Sequence, residues 1–243
     1  MKKISILALS AVVLFAACNP KYNPNDARTF GLKGDVKEVR LSEVVPSESG
    51  DPMPEDGSLD QDQLEMTFDE QGRVTLDPYG NVYEYDEQGN FLGGQVPNTE
   101  VVRDTDGRLV SYDNTSFDDF EDVRFDIGTF SITRYTYDGK GRPATADING
   151  WEWGSVYTYT YDGGKVYPAS ATFEGGSEGW NEAGKVTYTY TAFDAKGNWT
   201  ERNVSRMTCS WELPWEGNPN PPVDTTYADM KQIRVIKYWS DKE

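Results

Sequence analysis

Much of the chain alternates between two kinds of position. Val156-Tyr157-Thr158-Tyr159-Thr160-Tyr161 places three tyrosines on one face of an extended segment and Val, Thr and Thr on the other, and Val186-Thr187-Tyr188-Thr189-Tyr190-Thr191 repeats the design. A two-residue period carried by Tyr, Thr and Val is the pattern of a strand, because successive side chains leave opposite faces of the pleat. The same reading predicts strands at 35–45, 64–68, 73–77, 81–85, 100–103, 108–112, 130–137, 166–173, 199–211 and 231–239. No long window carries a 3.6-residue period, so no helix is expected.

The punctuation between strands is regular too. An aromatic residue, Asp, two residues, Gly, then Arg or Asn recurs as Phe68-Asp69-Glu70-Gln71-Gly72-Arg73, Tyr85-Asp86-Glu87-Gln88-Gly89-Asn90, Tyr137-Asp138-Gly139-Lys140-Gly141-Arg142 and Phe193-Asp194-Ala195-Lys196-Gly197-Asn198. Looser copies are Arg103-Asp104-Thr105-Asp106-Gly107-Arg108 and Trp180-Asn181-Glu182-Ala183-Gly184-Lys185, and Tyr161-Asp162-Gly163-Gly164-Lys165 is a shortened one. The spacing has a physical cause. Asp accepts hydrogen bonds from amides further along the turn, and Gly supplies the left-handed conformation of a type I turn followed by a bulge. Gly72, Gly89 and Gly107 lie 17 and 18 residues apart, and the step of 34 to Gly141 leaves room for one degenerate turn, for which Phe125-Asp126-Ile127-Gly128 is the candidate. The expected fold is therefore all-β: an antiparallel ribbon of repeated hairpins, or a twisted or coiled sheet that is partly single-layered.

These motifs resemble the YD repeats of the Rhs family. The resemblance rests above all on Tyr85-Asp86 with Gly89-Asn90, Tyr137-Asp138 with Gly141-Arg142, and Phe193-Asp194 with Gly197-Asn198, and it covers roughly residues 64–200. The opening Phe30-Gly31-Leu32-Lys33-Gly34-Asp35-Val36-Lys37-Glu38-Val39 also looks like the start of small envelope lipoproteins built from such repeats. What the resemblance implies is a shared architecture; no activity is carried over with it.

The N-terminus is organised differently. Lys2 and Lys3 precede an apolar run from Ile4 to Ala17, too short to span a bilayer, and Leu14-Phe15-Ala16-Ala17-Cys18 looks like a bacterial lipobox. That resemblance implies a signal peptide over 1–17, cleavage before Cys18, acylation of its thiol and a lipid anchor in the membrane; a secreted soluble protein cut nearby is the alternative. Phe15 stands where Leu is usual. Asn19 after the cysteine implies the outer membrane by analogy with enterobacterial sorting. Residues 18–29 read as a lipidated tether and 30–243 as the repeat domain.

Composition narrows the function. The formal net charge of −18 disfavours nucleic acid and anionic lipid surfaces. The absence of histidine removes Ser-His-Asp and Cys-His catalysis and the usual zinc sites. Once Cys18 is lipidated, Cys209 has no disulfide partner; in its alternating run it reads as a small buried apolar residue. Beyond Cys18 the chain carries 31 aromatic residues against 30 Ile, Leu and Val together, a small aliphatic share for a sandwich core.

Four functional readings follow. Trp151, Trp153, Trp180, Trp211 and Trp215 are candidates for glycan or protein binding, since flat indole faces pack on sugar rings; packing within the sheet is the plain alternative. Asp104 and Asp106, and Asp118 and Asp119, are weak candidates for calcium, without the full spacing of an EF-hand loop. An enzyme using two carboxylates is not favoured, because 41 acidic residues make close pairs inevitable and nothing marks one out. A structural envelope protein that offers sheet edges to a partner needs no special residue. The expectation is a non-catalytic binding protein of the envelope with no cofactor, its partner a glycan or another envelope protein.

Overall fold

A computed structural model describes residues 26–46, 65–77, 82–94, 100–113, 131–150, 153–214 and 217–241. Cys18, Trp151, Trp215, Asp118, Asp119 and the candidate turn at 125–128 lie outside the described residues.

The described chain is all-β. A 3₁₀ turn, Asp26–Arg28, precedes β1 (Val36–Pro46), β2 (Met66–Phe68), β3 (Val74–Leu76), β4 (Tyr83–Tyr85), β5 (Phe91–Gly94), β6 (Glu100–Arg103), β7 (Leu109–Asp113), β8 (Ser131–Tyr137), β9 (Pro143–Gly150), β10 (Trp153–Thr160), β11 (Ser170–Ser177), β12 (Trp180–Phe193), β13 (Trp199–Glu212) and β14 (Val223–Tyr238). Twelve strands form one antiparallel sheet in the order β3-β2-β1-β14-β13-β12-β11-β10-β9-β8-β7-β6, with β4 and β5 as a separate hairpin; the sheet is not closed into a barrel. Every neighbour but one is a sequential hairpin partner. The exception is β1, which pairs with β14, so the first and last strands lie side by side in mid-sheet.

The turns have the expected chemistry. In the first copy the Gly72 amide donates to the Asp69 carbonyl and the Asp69 amide to the Arg73 carbonyl, both at 2.9 Å, while Gly72 sits at φ 80°. The Asp69 carboxylate accepts the amides of Gln71 and Arg73 at 2.9 Å each, and Arg73 Nε donates to its other oxygen. The copies at Asp104 and Asp138 repeat this network down to the Arg Nε contact. A further link was not visible in the spacing. The arginine of one turn lies over the motif tyrosine of a later hairpin: Arg73 over Tyr85 at 4.4 Å, Arg108 over Tyr137 at 4.8 Å and Arg142 over Tyr161 at 4.0 Å. Tyrosine hydroxyls then donate to backbone carbonyls of earlier hairpins, Tyr161 to Pro143 and Tyr137 to Leu109. The repeat therefore ties each hairpin to its neighbour along the rim.

One of the turn expectations needs correction. Trp180-Asn181-Glu182-Ala183-Gly184-Lys185 is not a turn but part of β12; the reversal falls at Gly179, at φ 84°. Gly184 is needed for a close approach instead, since a Cβ there would stand 2.5 Å from the Phe173 ring and 2.1 Å from the Met207 carbonyl oxygen. Two strand boundaries also move: β11 begins at Ser170, and β14 begins at Val223, because Val223 to Tyr227 pair with Trp211 back to Met207.

The sheet curls, and the N-terminal turn clasps its two ends. The Asp26 amide donates to the Gly72 carbonyl, the Val74 amide to the Asp26 carboxylate at 2.8 Å, and Arg103 forks onto both carboxylate oxygens. Thr29 bonds the Tyr137 hydroxyl at 2.9 Å, and the Phe30 ring meets Phe68 at 6.1 Å and Tyr135 at 6.3 Å. Residues 26–29, read as tether, thus belong to the packed unit. Leu32, Val36, Val39, Phe68, Val74, Tyr83 and Leu109 form a core where the two ends meet; Ala146, Ile148, Tyr157, Ala171, Phe173, Val186, Val204 and Met230 form a second on the inner face of β9–β14. Each large apolar side chain so buried contributes about 1.5–3 kcal/mol.

Candidate binding site

Strand registers decide which side chains share a face, because residues directly opposite one another project the same way. Along β10 the buried positions are Ser155 and Tyr157, along β11 Ala171 and Phe173, along β12 Val186, along β13 Arg202, Val204 and Arg206, and along β14 Met230, Gln232 and Arg234. The pairings Tyr157↔Phe173↔Gly184↔Thr208 and Ala171↔Val186↔Arg206 put all of these on one surface, the concave one. Tyr157, Tyr159, Tyr188 and Tyr190 are on it as well, so the tyrosine periodicity points inward.

The same registers sort the sequence-predicted tryptophans. Trp153 pairs with Ser177, Ser177 with Trp180, and Trp180 with Glu212. Trp153 and Trp180 therefore stand on the concave face in one row, two strands apart, about 10 Å at ordinary strand spacing. Both are exposed, at 40% and 47%. Between them the floor is low, made of Ser155, Gly175 and Ser177. The Trp153 indole lies across Gly150, where a Cβ would come within 2.1 Å of its nitrogen. The result is two exposed indoles on one face with small residues on the strand between them. Trp211 pairs with Asn181 and Val223 and sits on the convex face, so it takes no part.

Further along the concave face lies a cavity of about 220 Å³. A water's share of the liquid is about 30 Å³, so the space holds several waters or one small ring. Its walls include Tyr157, Tyr159, Tyr188, Trp199, Val186 and Val204, with Phe30, Val166 and Pro168 above and Arg202, Arg206, Gln232 and Arg234 below. Arg202 and Arg234 both lie on Trp199, at 4.3 and 3.6 Å from the ring centre, and Arg202 also covers Tyr188 at 4.5 Å. Their Nε atoms donate to Gln232 Oε1 at 2.6 Å and to the Trp199 carbonyl at 2.7 Å. Arg206 lies over Phe173 at 4.2 Å, bonds Thr208 Oγ1 at 3.0 Å and is 3.9 Å from Glu182. Two guanidiniums on one indole are less than about 8 Å apart, and at an effective dielectric near 20 they repel by roughly 2 kcal/mol. The described lining of this cavity includes three arginines and no Asp or Glu.

The arginines were not singled out in the sequence. Arg202-Asn203-Val204-Ser205-Arg206 does carry a signal: two cations at a two-residue period flank an inward valine.

The remaining candidates have other surroundings. Asp104 spends its carboxylate on the Asp106 and Arg108 amides and on Arg108 Nε, and Asp106 lies 3.2 Å from Arg108. These oxygens serve the turn, and among the described residues no three acidic, His or Cys side chains gather as a metal site. Cys209 is half-buried on the convex face, its sulfur 3.5 Å from Thr225 Oγ1, rather than fully buried.

No family model matches the chain, and no curated protein matches it.

Proposed function

We propose that the protein is a lipid-anchored, non-catalytic binding protein of the bacterial envelope, built from YD-type hairpin repeats, whose concave face receives a glycan. The lipobox-like segment ending at Cys18 supports the anchor, and Asn19 supports the outer membrane. The observation that carries the binding reading is the placing of the exposed Trp153 and Trp180 in one row of the face that also holds an aromatic cavity. Two exposed indoles rooted on strands about 10 Å apart offer two stacking surfaces for sugar rings. No cofactor, catalytic residue or nucleic-acid partner belongs to this reading.

The test is a titration of the mature chain with a panel of polysaccharides, followed by heat and tryptophan fluorescence, with and without calcium. Saturable binding is expected, weakened at least about tenfold by Trp153→Ala or Trp180→Ala and unchanged by Trp211→Ala. Absence of heat and spectral change across the panel overturns it.

A second reading, a structural or interaction protein of the envelope, is favoured by the convex face. There Val223 and Tyr227 are 59% and 64% exposed near Trp211. A photo-crosslinker at position 227 that captures one envelope protein in intact cells would support it.

A further inference from the structure

Charge is segregated along the concave face. The registers that turn Val186, Val204 and Met230 inward also turn Glu182, Glu212 and Asp224 inward: Glu182 pairs with Gly175 and Ser210, Glu212 with Trp180, and Asp224 with Ser210. Among the described residues of β8–β14 these are the acidic side chains of that face, and all of them lie at the end that carries Trp153 and Trp180. The cationic side chains of the same face, Arg202, Arg206 and Arg234, lie toward the other end. Glu212 is exposed and stands directly opposite Trp180, so their Cβ atoms are about 5 Å apart. Glu182 is the next inward residue after Trp180 on β12, about 7 Å along the strand. Its carboxylate is 3.9 Å from Arg206, which lies on the far side from the indoles. The indoles and the carboxylates suit one kind of ligand together. An aromatic face attracts a cation through its quadrupole, and a carboxylate rooted beside the same ring pairs with that cation. A neutral sugar uses only the indole, whereas a sugar that bears an ammonium uses both. The net charge of −18 draws such a ligand in and repels an acidic one.

We propose that Trp153, Trp180, Glu182 and Glu212 select a glycan of amino sugars whose amines are free. One ring stacks on Trp180 and directs its ammonium to Glu212 and Glu182. A second ring reaches Trp153, two strands and about 10 Å away. Asp224, two strands beyond Glu182, continues the acidic end of the face. This inference rests on the glycan reading and names the class of glycan.

The experiment compares matched ligands on the mature chain carrying Cys18→Ser: a β-1,4-linked glucosamine oligomer, its fully N-acetylated counterpart, a glucose oligomer of the same linkage and length, and an oligolysine peptide. Affinity is read from tryptophan fluorescence and calorimetry at low and high salt, at a mildly acidic pH where the amines are charged and the carboxylates still ionised. The expected result is that the glucosamine oligomer binds at least about tenfold tighter than the other two sugars, the size of gap that one charge-assisted contact supplies. High salt narrows that gap. Glu212→Gln and Glu182→Gln each narrow it as well, and Glu174→Gln, on the convex face, leaves it unchanged. Equal affinity for the three sugars overturns the selection while leaving the glycan reading intact. Oligolysine bound as tightly as the glucosamine oligomer, with the other two sugars unbound, overturns the glycan and leaves a cationic peptide as the partner. No response to any ligand overturns both. If a glutamate variant fails to fold, as judged by circular dichroism, the parent chain's ratio of free-amine to acetylated affinity and its salt dependence decide.

Discussion

The turn rim and the concave cavity both depend on arginine and use it in opposite ways. At the rim, Arg73, Arg108 and Arg142 each pair with the aspartate four residues earlier and then cover the tyrosine of a later hairpin. Charge is neutralised within the motif that supplies it, so the rim arginine acts as a structural clamp. In the cavity, Arg202, Arg206 and Arg234 come from strand interiors that bring no aspartate at that spacing, and they lie on Trp199, Tyr188 and Phe173. The same side chain is a fastener paired within its own turn in one place and a ring-stacked group of the strand interior in the other. The first partner is written four residues away in the sequence; the second comes from a neighbouring strand.

Several measurements can break or sharpen this contrast. The largest effect belongs to the clasp, where rim-style pairing is fully buried. Desolvation pushes the Asp26 carboxyl upward, and the Val74 amide and the nearby Arg73 charge pull it back. Asp26→Ala strands Arg103 in a buried place, and a loss of about 3–5 kcal/mol is expected in urea denaturation. A loss under about 1 kcal/mol would show that the clasp is not what joins the two ends of the sheet.

Next comes a rim carboxylate. Asp69→Ala removes the acceptor for two amides and the Arg73 guanidinium, and about 1–3 kcal/mol should be lost by the same assay.

The sharpest comparison is smaller. Arg142→Gln forfeits the stack on Tyr161 and the bonds to the Gly163 and Lys165 carbonyls, at a cost of about 1 kcal/mol. Arg202→Gln forfeits a buried bond to Gln232 and the stacks on Trp199 and Tyr188, and about 2 kcal/mol should be lost. Equal losses at the two positions would erase the distinction between rim and cavity.

The smallest effect is on acid stability. Hydrogen bonds from Arg142 hold the Asp138 carboxyl at about 2, and those from Lys196 and Ser240 hold Asp35 at about 2, against an ordinary value of 3.8. With the folded value below the unfolded one, the unfolded chain binds more protons between pH 4 and 2. The contribution is therefore present in full above about pH 4 and fades as pH falls toward 2. Both groups are solvent-facing, so the loss is modest and shrinks in salt. An acid titration of the melting temperature checks it, and a midpoint that rises on acidification from pH 4 to 2 contradicts it.

How much of this was legible depends on the range of each interaction. The Asp and Gly positions of the turns could be read directly, since an Asx bond spans two to four residues and a left-handed glycine is a property of one. That the tyrosines of 157–161 and 188–190 share a face followed from a two-residue period; which way the face points did not. The misread turn at 180–185 shows the limit: Asn181, Glu182 and Gly184 have turn composition, but Gly179 two positions earlier closes the hairpin first, and the register then carries Gly184 under the Phe173 ring. Trp153 and Trp180 were visible as exposed-aromatic candidates, yet nothing local could separate them from Trp211.

What the amino-acid sequence determined by itself was the local code: an all-β chain of Asp/Gly hairpins with tyrosines gathered on one face, because turns and alternation are settled within a few residues. Only the tertiary structure decided that the tyrosine face points inward, that β1 closes against β14, that Asp26 clasps both ends of an open sheet, that Trp153 and Trp180 share a row on either side of β11, and that Arg202, Arg206 and Arg234 line one cavity. Those meetings join residues far apart in the chain. A shift of one residue in any register would send each side chain to the opposite face, so they are set by the packing of the whole sheet and by no segment of it alone.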